Sequence, residues 1–299
     1  MDKEKATIER IRYLSDAALA AYGRPLVAAY SGGKDSDTLL ELVRRAGVPF
    51  VLEHSHTTAD APQTVYHTRE VLHRLENEGV TCRVQYPQYK KKRTTLWAVI
   101  PEKGTPPTRL IRYCCKILKQ EGSRESVVLT GVRWAESARR KNTRGFFERN
   151  AQDLDKRVIL AEDTEETRRT FSTLMGETNR VTANPLADWT DGDIWDFCRS
   201  ERLPMNPLYE MGFDRVGCIG CPMGGKKRWR EFALFPAYER AYMRAFERMV
   251  EARRQRGMHN RMGWNTAEDV FRWWMEDTNL AGQISFDDLT EREVDSDGL

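Results

Sequence analysis

Short apolar runs alternate with amphipathic stretches through the first half of the chain. The apolar run at 25–30 (PLVAAY) has the length of a buried strand, and strands are also predicted at 48–53, 80–86 and 126–132. Helical spacing occurs at 38–45 and 64–78, and in the N-terminal segment through Ile8, Ile11, Leu14 and Leu19. This alternation predicts an α/β fold: a Rossmann-like, doubly wound, mostly parallel sheet covered by helices on both faces.

The second half of the chain loses this alternation. The segment 139–145 is basic and aperiodic, which favours a surface loop, and 161–169 is polar and charged. Helical spacing returns at 229–256 and 266–277, and the last residues, 287–299, are acidic. We therefore expect one domain over 1–225 and, over 226–299, a helical C-terminal extension that packs on it and ends in an acidic tail.

Composition narrows the class of protein. Of the 299 residues, 40% are hydrophobic and 31% charged, and the net charge is +3, which excludes a strongly basic, histone-like protein but not a local basic patch. No apolar stretch reaches the roughly 18–20 residues of a spanning helix, and the N-terminus, with its mixed charges, is unlike a signal peptide. We expect a cytoplasmic protein, in which clustered cysteines are metal ligands or redox groups rather than disulfides.

The segment SGGKDS at 31–36 directly follows the first predicted strand and opens a helix. Its glycines allow a tight turn whose N–H groups approach an anion, and the helix N-terminus adds partial positive charge. Lys34 adds a full positive charge, and Asp35 is suited to hold Mg²⁺ or an attacking group. The pattern is not a Walker A loop, because position 28 is alanine and Asp35 follows the lysine. The alternative, a simple capped Gly-Gly turn, is disfavoured by the strand–loop–helix context.

This loop resembles the PP-loop of ATP pyrophosphatases and of the related phosphoadenylylsulfate (PAPS) reductases. The resemblance continues through TGVRWAES at 130–137, NPLADWT at 184–190 and the segment 203–221. It implies a PP-loop, HUP-like domain that binds ATP or an adenylyl sulfate. In that family, the ATP-using members cleave between the α- and β-phosphates, adenylate an acceptor and release pyrophosphate.

The loop chemistry and the resemblance together give a set of expected nucleotide-binding residues. They are Tyr30, Ser31, Gly32, Gly33, Lys34, Asp35, Ser36, Asp60, Gly131 and Arg133. Lys34, Asp35 and Arg133 are the expected catalytic residues. Asp35 and Asp60 are the expected Mg²⁺ ligands, with helix capping as the alternative for Asp60.

Four of the six cysteines fall in two pairs, Cys114-Cys115 and Cys218-x-x-Cys221. A Cys-x-x-Cys turn presents two thiolates to one metal centre, whereas adjacent cysteines need a bent or helical backbone to do so. Adenylylsulfate reductases carry a similar CC…CxxC set that binds a [4Fe–4S] cluster, with a lysine at the position of Lys119. The resemblance therefore implies a [4Fe–4S] cluster on these four cysteines, and the alternatives are a zinc site or buried or redox-active thiols.

Basic residues near the cysteines are candidate substrate contacts. Arg109, Arg112 and Lys119 are the expected clamp for phosphate, sulfate or nucleic acid, with solvated surface charge as the alternative. The basic residues at 139–144 and 226–228 are candidate nucleic-acid contacts, again with a solvated surface as the alternative.

One departure from the reductases shapes the functional hypothesis. Those enzymes usually end in a motif with a catalytic cysteine, and no residue after Cys221 in this chain is a cysteine. In character the chain resembles the sulfur-activating enzymes of DNA phosphorothioation, of the Dnd and Ssp type. The leading hypothesis is an ATP pyrophosphatase that adenylates an acceptor for sulfur transfer.

That hypothesis also implies partners. We expect an adenine nucleotide, a DNA or RNA acceptor, a sulfur donor such as a cysteine desulfurase, and assembly as a homo-oligomer or with partners of a modification system. The alternatives are an adenylylsulfate or PAPS reductase that uses an external thiol, a tRNA thiolase, and a nucleotide-sensing regulatory protein.

Overall fold

A computed structural model describes residues 2–119, 126–149, 157–177 and 181–276. The strands are β1 (Leu26–Tyr30), β2 (Phe50–Ser55), β3 (Thr81–Gln85), β4 (Gln88–Tyr89), β5 (Lys92–Arg93), β6 (Val127–Leu129), β7 (Phe147–Arg149), β8 (Val158–Leu160) and β9 (Val181–Ala183). The α-helices are α1 (Lys3–Tyr22), α2 (Lys34–Ala46), α3 (Pro62–Asn77), α4 (Leu96–Lys103), α5 (Tyr113–Leu118), α6 (Ala138–Thr143), α7 (Glu165–Glu177), α8 (Asp191–Ser200), α9 (Arg228–Leu234), α10 (Pro236–Gln255) and α11 (Ala267–Glu276).

The described residues group into two compact units, and each unit is drawn from three stretches of the chain. The first takes its residues from Met1–Ser55, Pro62–Gln85 and Gly122–Gly217. The second takes them from His56–Ala61, Tyr86–Glu121 and Cys218–Leu299. The sequence predicted one boundary at residue 225, whereas these units interleave along the chain. The division into 1–225 and 226–299 stays a prediction.

The first unit is built on a seven-stranded sheet with the order β3-β2-β1-β6-β9-β7-β8. Strands β1, β2, β3, β6 and β9 run parallel, and β7, near one edge, pairs antiparallel with both β9 and β8. The predicted Rossmann-like, mostly parallel sheet is confirmed. Strands β7, β8 and β9, each of three residues, were not predicted from the sequence.

The order of the strands creates a crevice at a defined place. From β1 the chain continues to β2 and β3 on one side, and it returns to the other side of β1 with β6. In open parallel sheets, ligands bind at the carboxyl ends of the strands where the order reverses in this way. The loop after β1 is SGGKDS at 31–36, and the loop after β6 contains 130–133. The topology therefore directs both predicted nucleotide motifs to one edge of the sheet.

Two apolar clusters stabilise the first unit. Helices α1, α2, α7 and α8 contribute to one core together with β6, β7 and β9. Helix α3 packs on a second core with β1 and β2 through Val71, Leu72 and Leu75. Residues in these clusters are almost fully removed from water, which provides most of the driving force for folding.

Two local predictions were wrong. The segment 139–145 is not a loop, because α6 occupies most of it and begins at the N-cap Ser137, whose side chain accepts a hydrogen bond from the Arg140 N–H. The polar segment 161–169, for which no element is predicted, contains the start of α7. The helix predicted over 229–256 is divided, because α9 ends at Leu234 and Pro236 begins α10. The acidic segment 287–299 lies outside the described residues.

The second unit is mainly helical. Helix α10 packs against α4 and α11. Arg253 and Arg256 of its C-terminal part donate hydrogen bonds to backbone carbonyls at the end of α4. Its interior is aromatic, with the ring centroids of Tyr242 and Trp274 4.6 Å apart. Across the described residues, we find no helix with the length and apolarity needed to cross a membrane.

Candidate nucleotide site and cysteine site

The SGGKDS loop connects β1 to α2, and the side chain of Ser36 forms hydrogen bonds with the backbone of the loop. The Ser36 Oγ accepts hydrogen bonds from the N–H groups of Ser31 and Gly33, at 3.3 and 3.1 Å. It also donates to the Gly33 carbonyl at 2.8 Å. Ser36 therefore shapes the loop from inside, as an N-terminal capping residue does.

Glycine is required in this loop on conformational and steric grounds. Gly32 has φ +72°, and a Cβ there would lie 2.8 Å from Thr68 Oγ1. The buried Asn206 donates from Nδ2 to the Gly32 carbonyl at 2.8 Å and to Thr64 Oγ1 at 3.1 Å. A Cβ on Gly131 would lie 3.0 Å from the Asp35 carbonyl, so the loop after β6 packs directly on the first turn of α2.

Two cations and two carboxylates form a network beside the loop. Lys34 Nζ lies 3.2 Å from Asp35 Oδ2 and 3.5 Å from Asp191 Oδ1. Arg133 Nε lies 2.6 Å from Asp35 Oδ1, and a terminal nitrogen of its guanidinium lies 2.7 Å from Asp191 Oδ1. Arg133 also donates to the Trp189 carbonyl at 3.3 Å and is 1% exposed. Its guanidinium therefore holds both carboxylates in place.

The network perturbs the more exposed of its two carboxylates. Desolvation alone would raise the pKa of Asp191, but the hydrogen bond and charge of Arg133, together with Lys34, outweigh it and lower the pKa. Asp191 is 63% exposed and is ionised at neutral pH, so its oxygens are open to a further cation. Carboxylate pairs next to phosphates are the ligands that Mg²⁺ uses in nucleotide sites.

A cavity of about 380 Å³ opens next to this network. Its lining residues are Lys34, Asp191, Trp195, Tyr209, Gly212, Phe213 and Asp214. The Lys34 N–H donates to the Tyr209 hydroxyl at 2.9 Å, and Lys34 Nζ lies 5.9 Å from the centroid of the Trp195 ring. The lining of the cavity therefore includes one cation, two carboxylates and three aromatic residues.

The second unit contains a separate site built from cysteines. Cys114 and Cys115 lie on the short helix α5, which supplies the bent backbone that adjacent ligands need. Cys218 and Cys221 lie in a tight turn in which the Cys221 N–H donates to the Cys218 carbonyl at 3.3 Å. Gly220 in this turn has φ +73°, and a Cβ there would lie 2.6 Å from the Phe232 ring. All four thiols are half-buried and free of disulfides.

The four cysteines and the basic residues next to them affect one another's pKa values. A hydrogen bond with Cys115, burial and the charges of Cys115, Cys221 and Cys218 raise the pKa of Cys114. The hydrogen bond with Cys114, together with Arg112 and Lys119, lowers the pKa of Cys115 to about 5. The charges of Cys218 and then Asp60 raise the pKa of Lys119. The site therefore combines the Cys115 thiolate and three further cysteines with a nearby lysine and arginine.

Comparison with known proteins shows which family the chain belongs to. Residues 25–223 match the family described as phosphoadenosine phosphosulfate reductase domain. The chain belongs to this family.

Relatives of this PAPS reductase-family chain have several names. It is 24% identical over 204 residues to an adenosine 5'-phosphosulfate reductase from Allochromatium vinosum, covering 66% of this chain and 67% of that protein. It is 28% identical over 201 residues to sulfate adenylyltransferase subunit 2 from Rhizobium johnstonii, covering 64% and 58%. It is 26% identical over 211 residues to a Methanocaldococcus jannaschii protein, and the match covers 67% of this chain and 36% of that protein. The chain thus spans between one third and two thirds of these relatives.

Solved structures resemble the chain more distantly. A PAPS reductase from Candida auris in a phosphate complex is 17% identical, with a TM-score of 0.41, covering 71% of this chain and 93% of that one. The U34-tRNA thiolase NcsA from Methanococcus maripaludis, with its [4Fe-4S] cluster, is 11% identical, with a TM-score of 0.40, covering 84% and 80%.

The predicted nucleotide-binding residues fall in different places in this PAPS reductase-family chain. Lys34, Asp35 and Arg133 form one network, whereas Tyr30 is buried below the loop, where its hydroxyl donates to Asp37 Oδ1 at 2.5 Å. Asp60 belongs to the second unit, where its carboxylate accepts from the Thr57 N–H at 3.1 Å. The expected roles of these residues at the nucleotide stay predictions.

Three residues of the candidate site were missed from the sequence. They are Asp191, Trp195 and Tyr209, all of which line the cavity. Each lies in or beside a motif that carries the family resemblance, and that proximity was the available signal. Nothing in their local spacing indicates that they face Lys34.

The predicted clamp is divided. Arg112 donates to Cys115 Sγ at 3.4 Å, and Lys119 interacts with the thiols, so both belong to the cysteine site. Arg109 is exposed, and within the described residues its side chain makes no hydrogen bond or ion pair. Its role as a substrate contact stays a prediction.

The spacing of the thiols tests which metal group they fit. Among the described residues, no three of these sulfur atoms lie mutually within 4.8 Å. Four thiolates on one zinc ion, at bonds of about 2.3 Å, need all their sulfurs closer together than that. A [4Fe–4S] cluster binds each thiolate at a different iron and so keeps the ligand sulfurs further apart. The donor set fits the cluster better than a single zinc ion.

Proposed function

We propose that this chain is an enzyme that binds ATP with Mg²⁺ at the SGGKDS loop and transfers the adenylyl group to an acceptor as the activating step of sulfur transfer. The observation that carries this proposal is the pair of carboxylates, Asp35 and Asp191, held beside Lys34 by the buried Arg133. A site for a Mg²⁺–nucleotide needs such carboxylates next to a phosphate-binding loop, because Mg²⁺ bridges protein oxygens and phosphate oxygens.

The reaction follows from these groups. A nucleophile of the acceptor attacks the α-phosphorus, the bond from that phosphorus to the α–β bridging oxygen breaks, and pyrophosphate leaves with the electron pair. Lys34 and the backbone N–H groups of the loop stabilise the negative charge that develops on the phosphates. Arg133 acts as a positioning residue, because its donors are occupied by Asp35, Asp191 and the Trp189 carbonyl.

The cysteine site has its own part in the proposal. Cys114, Cys115, Cys218 and Cys221 would hold a [4Fe–4S] cluster, which when bound would cross-link the two segments of the chain that carry these cysteines. The positive charges of Arg112 and Lys119 would balance the negative charge of the thiolate-bound cluster. The acceptor in this proposal is DNA or RNA, and the sulfur comes from a donor such as a cysteine desulfurase, with modification-system proteins as further partners.

A second candidate function is reduction of adenylylsulfate or PAPS with an external thiol. The observation that favours it is the family match over residues 25–223, together with relatives named adenosine 5'-phosphosulfate reductase. In this candidate the reductant is an external thiol. This reaction releases sulfite and needs no ATP, which separates the two candidates.

One experiment on anaerobically prepared protein decides between them. The protein is incubated with ATP and Mg²⁺, with adenylylsulfate or with PAPS, in each case with an oligonucleotide and a thiol, and pyrophosphate and sulfite are measured. The proposal predicts pyrophosphate that depends on ATP and Mg²⁺ and is lost in Lys34→Ala, but not in the control Lys5→Ala on α1. Sulfite without ATP would establish the reductase instead. Nucleotide binding without either product would favour a regulatory protein.

A further inference from the structure

A small basic hairpin in the second unit has an unfavourable backbone conformation. Strands β4 and β5 pair antiparallel, with Tyr89 opposite Lys92, and a two-residue turn joins them. Both turn residues have positive φ, +53° for Lys90 and +63° for Lys91. Such type I′ turns strongly prefer Asn-Gly, because residues with a larger side chain are strained in the left-handed region. Local stability therefore does not explain why two lysines occupy this turn.

The hairpin concentrates positive charge at the surface. The sequence at 90–93 is KKKR, and all four side chains are exposed. Lys90 forms an ion pair with Glu102 at 2.5 Å, whereas Lys91 and Lys92 make no ion pair within the described residues. The charges of Lys103 and Arg256 also act on Glu102, so Glu102 is outnumbered by the cations around it.

Aromatic rings lie among these cations. The Arg93 guanidinium lies 3.7 Å from the centroid of the Tyr86 ring, and Tyr86 is 47% exposed. The edge of His56 contacts Tyr86, with the ring centroids 5.7 Å apart. A flat arginine stacked on an exposed tyrosine presents a surface on which an unpaired base can stack.

We propose that this hairpin, residues 86–93, binds a nucleic acid strand. Lys91 and Lys92 would contact the phosphate backbone, and the Arg93–Tyr86 stack would contact a base. An acidic protein surface could form ion pairs with the lysines, but it offers no base to contact the Arg93–Tyr86 stack. The surface extends the proposed function, since it gives a nucleic-acid acceptor a place to bind. Binding is measured without ATP, so a failure of either proposal leaves the other testable.

The test measures the affinity of the full chain for a fluorescent single strand of about 20 nucleotides while NaCl is raised from about 50 to 200 mM. Lys91→Gln with Lys92→Gln should weaken binding about tenfold and reduce the slope of log affinity against log salt by about 0.7 for each lysine. The control is Arg169→Gln with Arg199→Gln, which removes the same charge from exposed residues that are each paired within their own helix. The control should keep the slope of the unmodified protein.

A second variant separates function from folding. Lys90→Asn with Lys91→Gly installs the preferred turn, so it should raise the melting temperature while it weakens binding. A melting temperature that rises with unchanged affinity would overturn the proposal, as would equal losses in the hairpin and control variants. Binding to vesicles with phosphatidylserine, without binding to the oligonucleotide, would assign the hairpin to a membrane surface and also overturn it. Tyr86→Ala should weaken single-strand binding more than duplex binding.

Discussion

Arg133 Nε lies 2.6 Å from Asp35 Oδ1, so a residue that follows β6 holds the first turn of α2. The two residues are 98 positions apart in the chain, and the adjacent β1 and β6 bring them together. The same guanidinium reaches Asp191 at the start of α8. The SGGKDS loop, the segment 130–137 and the residue that follows the segment 184–190 therefore share one ion-pair network. Arg133 is the buried centre of this network.

Replacement of that centre should destabilise the first unit. Arg133→Gln leaves Asp35 without its nearest cation, and we expect the free energy of unfolding to fall by about 2 kcal/mol, since Asp35 is only partly buried. Urea unfolding at neutral pH measures the loss. Arg133→Lys, which keeps the charge but not the planar fork, should lose less stability. An Arg133→Gln protein that unfolds at the same urea concentration as the unmodified protein would show that the network is not structural.

Lys34 should matter for the ligand more than for the fold. Its ammonium lines the cavity beside the loop, so Lys34→Ala should weaken Mg²⁺–ATP binding about 100-fold through loss of a desolvated phosphate contact. Isothermal titration calorimetry gives the affinity, and circular dichroism checks the fold. Lys5→Ala removes an 81% exposed lysine of α1 and should bind normally. Equal affinity in the two variants would exclude Lys34 from the nucleotide site.

The conformation of Gly32 gives a prediction with two separable parts. Gly32→Ala should cost about 1–2 kcal/mol for the left-handed backbone, plus a steric penalty, because its Cβ would lie 2.8 Å from Thr68 Oγ1. That hydroxyl is buried without a hydrogen-bond partner, so Thr68→Ala alone should cost little. The double variant should recover the steric penalty only. Additive losses in the double-mutant cycle, measured by thermal unfolding, would show that the two positions do not collide.

The parts of the fold that were predictable from sequence share a simple physical cause. Strands β1, β2 and β6 are buried by helices, so they read as apolar runs between polar loops. The SGGKDS loop was readable because its chemistry is contained in six adjacent residues. Helix α6 was not, because a basic helix on the surface has no apolar period and its only start signal is Ser137. The interleaving of the two units depends on long-range packing, which no local pattern encodes.

The candidate site divides in the same way. Lys34 and Asp35 were predicted from their own loop, and Arg133 from a motif that resembles the family's. Asp191 was missed, although it contacts both Lys34 and Arg133, because its partners are distant in sequence. Tyr209 was missed for the same reason: its contact with the Lys34 N–H spans 175 positions. Local spacing predicts what one segment can do, and the partners of that segment come from the fold.

Acid should weaken an ion pair between α1 and α8. The hydrogen bond from Lys3, with further ones from Thr190, lowers the pKa of Asp193 to about 2. A carboxylate whose pKa is lowered on folding stabilises the protein above its unfolded pKa of about 3.9, and the stabilisation is lost as the pH falls towards 2. Asp193→Asn should therefore cost about 1 kcal/mol at pH 7, a figure reduced for partial exposure.

This cost should shrink as the pH falls towards 2 and vanish only below it, because at pH 2 about half of the folded protein still carries the Asp193 carboxylate. Unfolding with urea across the acid range measures the difference. Asp196→Asn, which removes a more exposed carboxylate from the same helix, should cost less at pH 7. A cost for Asp193→Asn that is constant between pH 7 and pH 2 would mean that charge is not its origin.

The cysteine site gives a prediction in terms of metal content. Anaerobically prepared protein should contain about four iron atoms and about four sulfides per chain, because four thiols spaced too widely for one zinc ion fit a [4Fe–4S] cluster. Cys218→Ser and Cys115→Ser should each lose most of the iron. Cys82→Ser is the matched control, because this strand cysteine lies outside the set and donates to the Leu72 carbonyl. Stoichiometric zinc without iron in the unmodified protein would contradict the cluster, and equal iron in all the variants would exclude these cysteines as its ligands.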